Sequence, residues 1–150
     1  MALGQRAAAS DATCYWEVRV GKEGVGGFGV GVALTSWGGL GGYKSLGKRL
    51  RTEAAGQYHS SGTFIANKIE RQYGPEYAAG ALVGVWLSPT GKGAKRKLQL
   101  RFSLDGKSLG AAATLPAAGA AADVRQYLLA VQPYMGGLAT IEAASSSAPE

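Results

Sequence analysis

Two glycine-rich loops, one histidine and two basic clusters are the features of this sequence whose residue types and spacing bear on chemistry. Gly24-x-Gly26-x-x-Gly29 matches the dinucleotide-binding fingerprint and resembles the Gly-rich loop of a kinase. The first reading needs a helix directly after the glycines, whose N-terminal N–H groups hold the pyrophosphate. Here Phe28, Val30, Val32 and Leu34 follow at every second position, which is the period of a strand. The kinase reading needs a lysine-bearing strand, a His-Arg-Asp loop and an Asp-Phe-Gly segment, and none is present. The glycines therefore read as a hairpin turn. Gly91-Lys92-Gly93-Ala94-Lys95 lacks the spacing and the Ser/Thr of a P-loop, so it too reads as a loop. His59 is the single histidine, with no Gly-x-Ser-x-Gly elbow and no carboxylate cluster around it in sequence. Neither a catalytic triad nor a metal centre is expected. Asp105 and Asp123 read as turn residues. The expectation is a protein without catalytic activity, cofactor, metal or small-molecule substrate.

Binding chemistry is better represented. The net charge of +6 is unevenly placed. Lys44, Lys48, Arg49 and Arg51 stand together without an acid, and so do Lys92, Lys95, Arg96, Lys97 and Arg101. Each cluster reads either as solvated loop charge or as a surface for phosphates or an acidic partner. Lys92, Lys95, Arg96 and Lys97 are the candidates for the second reading. Few aromatics beyond Tyr43 lie near these clusters, so any nucleic-acid contact would run through phosphates and tolerate sequence.

The elements that must position these groups are strands. A chain of 150 residues suits one domain that buries roughly two-thirds of its unfolded surface. Glycine at 24 positions argues for turns and close backbone contacts rather than long helices. The centre is Gly80–Gly110. Leu82–Leu87 is a nearly unbroken apolar run, the pattern of a strand buried on both faces. Leu98, Leu100, Phe102 and Leu104 then alternate with Gln99, Arg101, Ser103 and Asp105, the pattern of a strand with one wet face. Asp105-Gly106 closes the pair as a type I′ turn, which needs φ > 0 at both positions.

Before this centre, Trp16, Val18 and Val20 alternate with Tyr15, Glu17 and Arg19, and Phe28–Leu34 follows with a bare face of Gly29, Gly31 and Ala33. Such a face admits a second backbone or a bulky side chain. Thr35–Tyr58 reads as a long Gly/Lys/Arg-rich loop region, and Gln57–Gly62 and Thr63–Ile65 as short strands. After the centre, Ala111–Ala122 reads as a loop or at most one helical turn, and Tyr127–Gln132 and Leu138–Ala143 as the last strands. The fold class is all-β, an antiparallel β-sandwich or barrel of six to nine strands with little or no helix. Its bounds are a flexible N-terminus over 1–12, the domain over 13–143 and a disordered tail over 144–150. Trp16 and Trp86 read as structural, Trp86 buried between the sheets or under a loop. No apolar run has the length of a membrane span. One cysteine, Cys14, excludes an internal disulfide framework and a Cys-based zinc site. A reducing compartment, cytoplasmic or nuclear, is expected, with an organelle or cytoskeletal assembly left open.

Seven motifs in order carry a resemblance. Tyr15-Trp16-Glu17-Val18, Gly29-Val30-Gly31-Val32-Ala33, Tyr58-His59-Ser60-Ser61-Gly62 and Tyr73-Gly74-Pro75 come first. Gly80-Ala81-Leu82-Val83-Gly84-Val85, Phe102–Gly110 and Leu128-Leu129-Ala130-Val131-Gln132-Pro133 follow. Together they resemble a SPRY domain in its short form, without a visible PRY-like segment, and are most similar to the Ran-binding-protein-M type. The stretch covered is roughly Cys14 to Ile141. Two departures stand out: Gly80-Ala81 where the family usually has Gly-Asp, and Asp105-Gly106 where it often has Asn-Gly. The second keeps the turn chemistry, whereas the first removes a carboxylate that commonly stabilises a nearby turn.

The resemblance implies a bent β-sandwich of two antiparallel sheets whose rim loops bind a peptide or a folded protein. Family members serve as adaptors in ubiquitin ligases, chromatin complexes, RNA-processing assemblies and channels. Matched by position, Thr35–Arg51, Tyr58–Ser61 and the Lys68–Tyr73 loop lie towards the binding rim. Trp37, Tyr43, Arg49, Tyr58, His59, Arg71 and Tyr73 are then the expected partner contacts. Trp37 has the alternative of capping the sandwich end, and Tyr58 and Tyr73 that of core or turn aromatics. The function expected is a protein-interaction module, an adaptor or scaffold subunit of a larger assembly. The alternative is a basic accessory subunit contacting RNA or DNA phosphates in a ribonucleoprotein or chromatin complex.

Overall fold

The alternation of apolar residues carries directly into strands. In the computed structural model, which describes residues 2–3, 13–22, 27–34, 56–66, 69–91, 97–115, 127–133 and 137–147, the strands in chain order are β1 (Ala2–Leu3), β2 (Thr13–Lys22), β3 (Phe28–Leu34), β4 (Gly56–His59), β5 (Thr63–Ala66), β6 (Ile69–Gln72), β7 (Leu82–Thr90), β8 (Lys97–Leu104), β9 (Lys107–Leu115), β10 (Tyr127–Pro133) and β11 (Leu138–Ser147). They form a six-stranded sheet, β1-β10-β3-β4-β5-β6, and a five-stranded sheet, β11-β2-β7-β8-β9. Every pairing is antiparallel. The fold is the all-β antiparallel sandwich that the periodicity predicts, with no helix among the described residues.

The core lies between the inner faces of the two sheets. The five-stranded sheet contributes Cys14, Trp16, Val18 and Val20 from β2, Val83, Val85 and Leu87 from β7, and Leu98, Leu100 and Phe102 from β8, all buried. The six-stranded sheet answers with Phe28, Val30, Val32, Tyr58, Phe64, Leu129 and Val131. Withdrawing each large apolar side chain from water stabilises the fold by about 1.5–3 kcal/mol. The bare face of β3 does what its glycines suggest. A Cβ on Gly31 would lie 1.8 Å from the Gly56 carbonyl oxygen, and one on Gly29 would lie 2.4 Å from the Gln57 side-chain oxygen. So β4 approaches with both its backbone and a side chain.

The Asp105-Gly106 turn has φ of 50° and 84°, positive at both positions as a type I′ turn requires. Asp105 also ties the turn to the start of β7. Its Oδ1 accepts the Leu82 N–H at 2.9 Å, and its own N–H donates to the Leu82 carbonyl at 2.8 Å. Arg19 Nη1 donates to the Gly80 carbonyl at 3.0 Å, and the same guanidinium pairs with Glu142 of β11.

Several expectations give way. Ala111–Leu115, expected in a loop or single helical turn, is the second half of β9, where Ala113 and Leu115 pair with Leu100 and Leu98. Ile69–Gln72, expected in a loop, is β6, paired with β5. The last strand runs on to Ser147 rather than ending at Ala143. Ala2 and Leu3 pair with Val131 and Ala130. Trp86 is not between the sheets: it shares the outer face of β7 with Gly84, half-buried, because Val83, Val85 and Leu87 take the inner face.

Candidate functional site

The rim that holds the expected contacts is built from the β4–β5 turn and the segment after β6. Ser60 fixes the turn. Its N–H donates to the Phe28 carbonyl at 2.7 Å, its Oγ accepts the Phe28 N–H at 3.0 Å, and its carbonyl accepts the Tyr77 N–H at 3.0 Å. The buried Tyr77 hydroxyl donates to the Tyr58 carbonyl at 2.7 Å and lies 3.2 Å from that of Phe28. Backbone bonds from the Tyr73 and Gly74 N–H groups to the Gly62 carbonyl, both 3.0 Å, tie the second segment to the first.

Between these walls lies a cleft of about 470 Å³, open to solvent and lined by Gly27, His59, Ser60, Ser61, Glu76, Tyr77 and Ala78. His59 sits over Gly27, where a Cβ would come within 2.6 Å of its ring. The Ser61 N–H donates to His59 Nδ1 at 3.1 Å, so in the neutral ring the proton sits on Nε2. Ser61 Oγ lies 2.8 Å from the same Nδ1 and 3.0 Å from Thr63 Oγ1. These bonds join residues two apart and brace one turn. What the cleft offers chemically is the His59 ring, the Ser60 and Ser61 hydroxyls and the Glu76 side chain on one lining.

The other expected contacts divide. Tyr58 is corrected outright: it is fully buried and cannot touch a partner. It shares the inner face of β4 with Gly56, packs edge-on against Tyr73 and Tyr77 with centroids 5.4 and 4.9 Å away, and donates its hydroxyl to the Pro75 carbonyl. Burial pushes its phenol up to about 12. Tyr73 is half-buried; its hydroxyl donates to the Gly110 carbonyl at 2.6 Å, and burial raises its phenol as well. Arg71 lies over the rings of Phe64 and Tyr73, 5.4 and 5.7 Å from their centroids, and donates to the Ala112 carbonyl. Tyr73 and Arg71 thus clasp the two sheets together. Of the expected contacts among the described residues, His59 lines the cleft and Tyr58, Arg71 and Tyr73 do not.

Trp37, Tyr43, Arg49, Lys92, Lys95 and Arg96 lie outside the described residues. Lys97 is exposed at the start of β8, opposite Thr90. Glu76 and Tyr77 were missed by the sequence reading, which stopped at the Tyr73-Gly74-Pro75 turn. A Tyr two residues beyond that proline was the available signal that the chain turns back into the core. Among the described residues no group of three or more His, Cys, Asp and Glu side chains is placed to hold a metal ion.

No family model matches this chain, and no curated protein matches it. Among solved structures, the crystal structure of a human SPRY domain is similar at 20% identity, with a TM-score of 0.67, covering 93% of this chain and 81% of that one. The fold is SPRY-like, as the motifs implied.

Proposed function

We propose that this SPRY-fold chain is a non-catalytic protein-interaction module, an adaptor or scaffold subunit that holds its partner at the cleft between the β4–β5 turn and Glu76–Ala78. The SPRY fold is generally that of a protein-interaction module, which supports the class. The observation that carries the site is the bracing of both cleft walls by Ser60 and Tyr77. Walls fixed before binding leave little ordering cost to offset the contacts made. His59, Ser61 and Glu76 then supply hydrogen bonds that choose among peptides.

The test is affinity capture from native lysate on the full chain, with nuclease and at high salt, using wild type and Ser61→Trp, which fills the cleft. A protein retained by wild type through both treatments and lost with Ser61→Trp supports the reading. Equal recovery on both baits removes the cleft from the account. Recovery that disappears with nuclease favours the alternative in which basic segments contact RNA or DNA phosphates, since such contacts are charge-driven and salt-sensitive.

A further inference from the structure

Tyr15, Trp86 and Arg101 stand directly opposite one another across β2, β7 and β8. Their sequence neighbours Cys14, Trp16, Val85, Leu87, Leu100 and Phe102 all point into the core. Strand alternation therefore sets the three in one row on the outer face of the five-stranded sheet. All are half-buried. The Tyr15 and Trp86 ring centroids are 4.0 Å apart at 32°, and the Arg101 guanidinium carbon lies 5.6 Å from the Trp86 centroid. Tyr15 flanks Trp86 from β2, and Arg101 flanks it from β8.

The two ends of the row differ. The Tyr15 hydroxyl donates to Glu17 at 2.6 Å, so the Glu17 carboxylate is engaged by the phenol. Arg101 has no such acceptor: its Nε is buried with no hydrogen-bond partner. That nitrogen is closed to a partner, but no ion pair among the described residues engages the guanidinium, so a charge-assisted bond is left to its two outer nitrogens. Lys97 and Gln99 precede Arg101 on the same outer face of β8, and no acid occurs between Ser88 and Arg101.

We infer that this row is a second interaction surface, on a different sheet face from the cleft, and that it takes an acidic segment of a partner protein. A partner carboxylate meets the Arg101 guanidinium, whose planar fork matches it in two parallel hydrogen bonds. The aliphatic stem of the acidic residue lies on the Tyr15–Trp86 edge, and Lys97 adds attraction along the strand. A protein carboxylate fits better than a nucleic acid. Base stacking needs an open ring face, and Trp86 is flanked on both sides by its cross-strand neighbours.

The experiment titrates the full chain with fluorescein-labelled octaglutamate, with oligothymidylate of equal charge in parallel, and reads anisotropy. Arg101→Lys keeps the charge and removes the fork. Octaglutamate binding weakened about tenfold or more by Arg101→Lys supports the surface, since tenfold corresponds to the loss of one good charged hydrogen bond. Equal binding by both chains overturns it, because attraction to net charge alone would then suffice. Absence of octaglutamate binding, or tighter binding of oligothymidylate, overturns it as well. Should Arg101→Lys fail to fold, the Arg101 Nε–H resonance of the unaltered chain decides: a shift on adding octaglutamate supports the contact, and an unmoved signal ends it. The cleft is tested with a captured protein and Ser61→Trp, so either reading can fail without the other.

Discussion

Arg71 on β6 donates a hydrogen bond to the carbonyl of Ala112 on β9, fastening the edge of the six-stranded sheet to the edge of the five-stranded one. Its guanidinium also covers the rings of Phe64 and Tyr73. A residue expected to meet a partner thus holds the sandwich shut. All four residues of β6 are exposed, so this strand has little burial of its own to keep it in place. Arg71→Ala is expected to destabilise the chain by about 1–2 kcal/mol. Hydrogen exchange should rise at Ile69–Gln72 before it rises elsewhere. Unchanged exchange at those amides would mean that β5 alone holds the strand.

The Asp105–Leu82 exchange of two hydrogen bonds makes a second, sharper expectation. Asp105→Ala loses the acceptor for the Leu82 N–H and places a Cβ-bearing residue without local hydrogen bonding at φ 50°. The cost should be about 1–2 kcal/mol in denaturant unfolding. Asp105→Asn keeps an oxygen acceptor and tolerates the left-handed backbone, so it should cost less than half as much. Equal losses would show that the charge, not the geometry, matters at this turn.

Close approach and backbone conformation make different demands on glycine, and two positions separate them. A Cβ on Gly31 would strike backbone atoms, 1.8 Å from Gly56 O and 2.7 Å from Gln57 Cα. Neither can yield without undoing the β3–β4 pairing, so Gly31→Ala should cost about 3 kcal/mol or more. At Gly80, φ is +92° but nothing lies within 4 Å of the added carbon. Gly80→Ala should cost only about 1–2 kcal/mol. Thermal melts of the two variants rank them, and the reverse order would contradict the register of β3 and β4.

How much of this was legible depended on side-chain pattern. β8 was plain, because Leu98, Leu100 and Phe102 alternate with polar residues and are fully buried. The second half of β9 was hidden. Ala111–Ala113 carries no large apolar side chain to mark a period, although Ala112 and Leu115 are buried at 6% and 3% exposure. β6 was hidden for the opposite reason: an exposed edge strand needs no apolar alternation. Trp86 misled because an apolar run looks the same whether its outer residues meet another layer or one another, and here Trp86 meets Tyr15. The cleft was half legible. Tyr58-His59-Ser60-Ser61 marked it, but the face shared by Gly56 and Tyr58, which sends Tyr58 inward, follows only from the β4–β5 register.

Gln57 is an internal conflict open to experiment. It is 1% exposed, and neither its Oε1 nor its Nε2 has a hydrogen-bond partner. A buried amide without partners is worse than an apolar side chain of the same length. Gln57→Met, which conserves volume and flexibility, should raise stability by about 1–2 kcal/mol. A loss of stability on this change would show that the amide is satisfied in solution.

The buried phenol of Tyr58 gives the chain an alkaline limit. Its pKa is raised to about 12, chiefly by burial and in smaller part by Tyr73. A group whose folded pKa lies above its unfolded value of 10 stabilises the fold fully below pH 10. That contribution is lost as pH rises through the folded value. Absorbance titration at 295 nm should therefore show Tyr58 ionising late, with stability falling between about pH 10 and 12. Tyr58→Phe should cost about 1 kcal/mol at neutral pH through loss of the bond to Pro75. The same variant should flatten the alkaline fall, because the ionisable group is gone. An alkaline profile unchanged in Tyr58→Phe would assign the limit to other groups, with Tyr73, also raised by burial, as the next to replace.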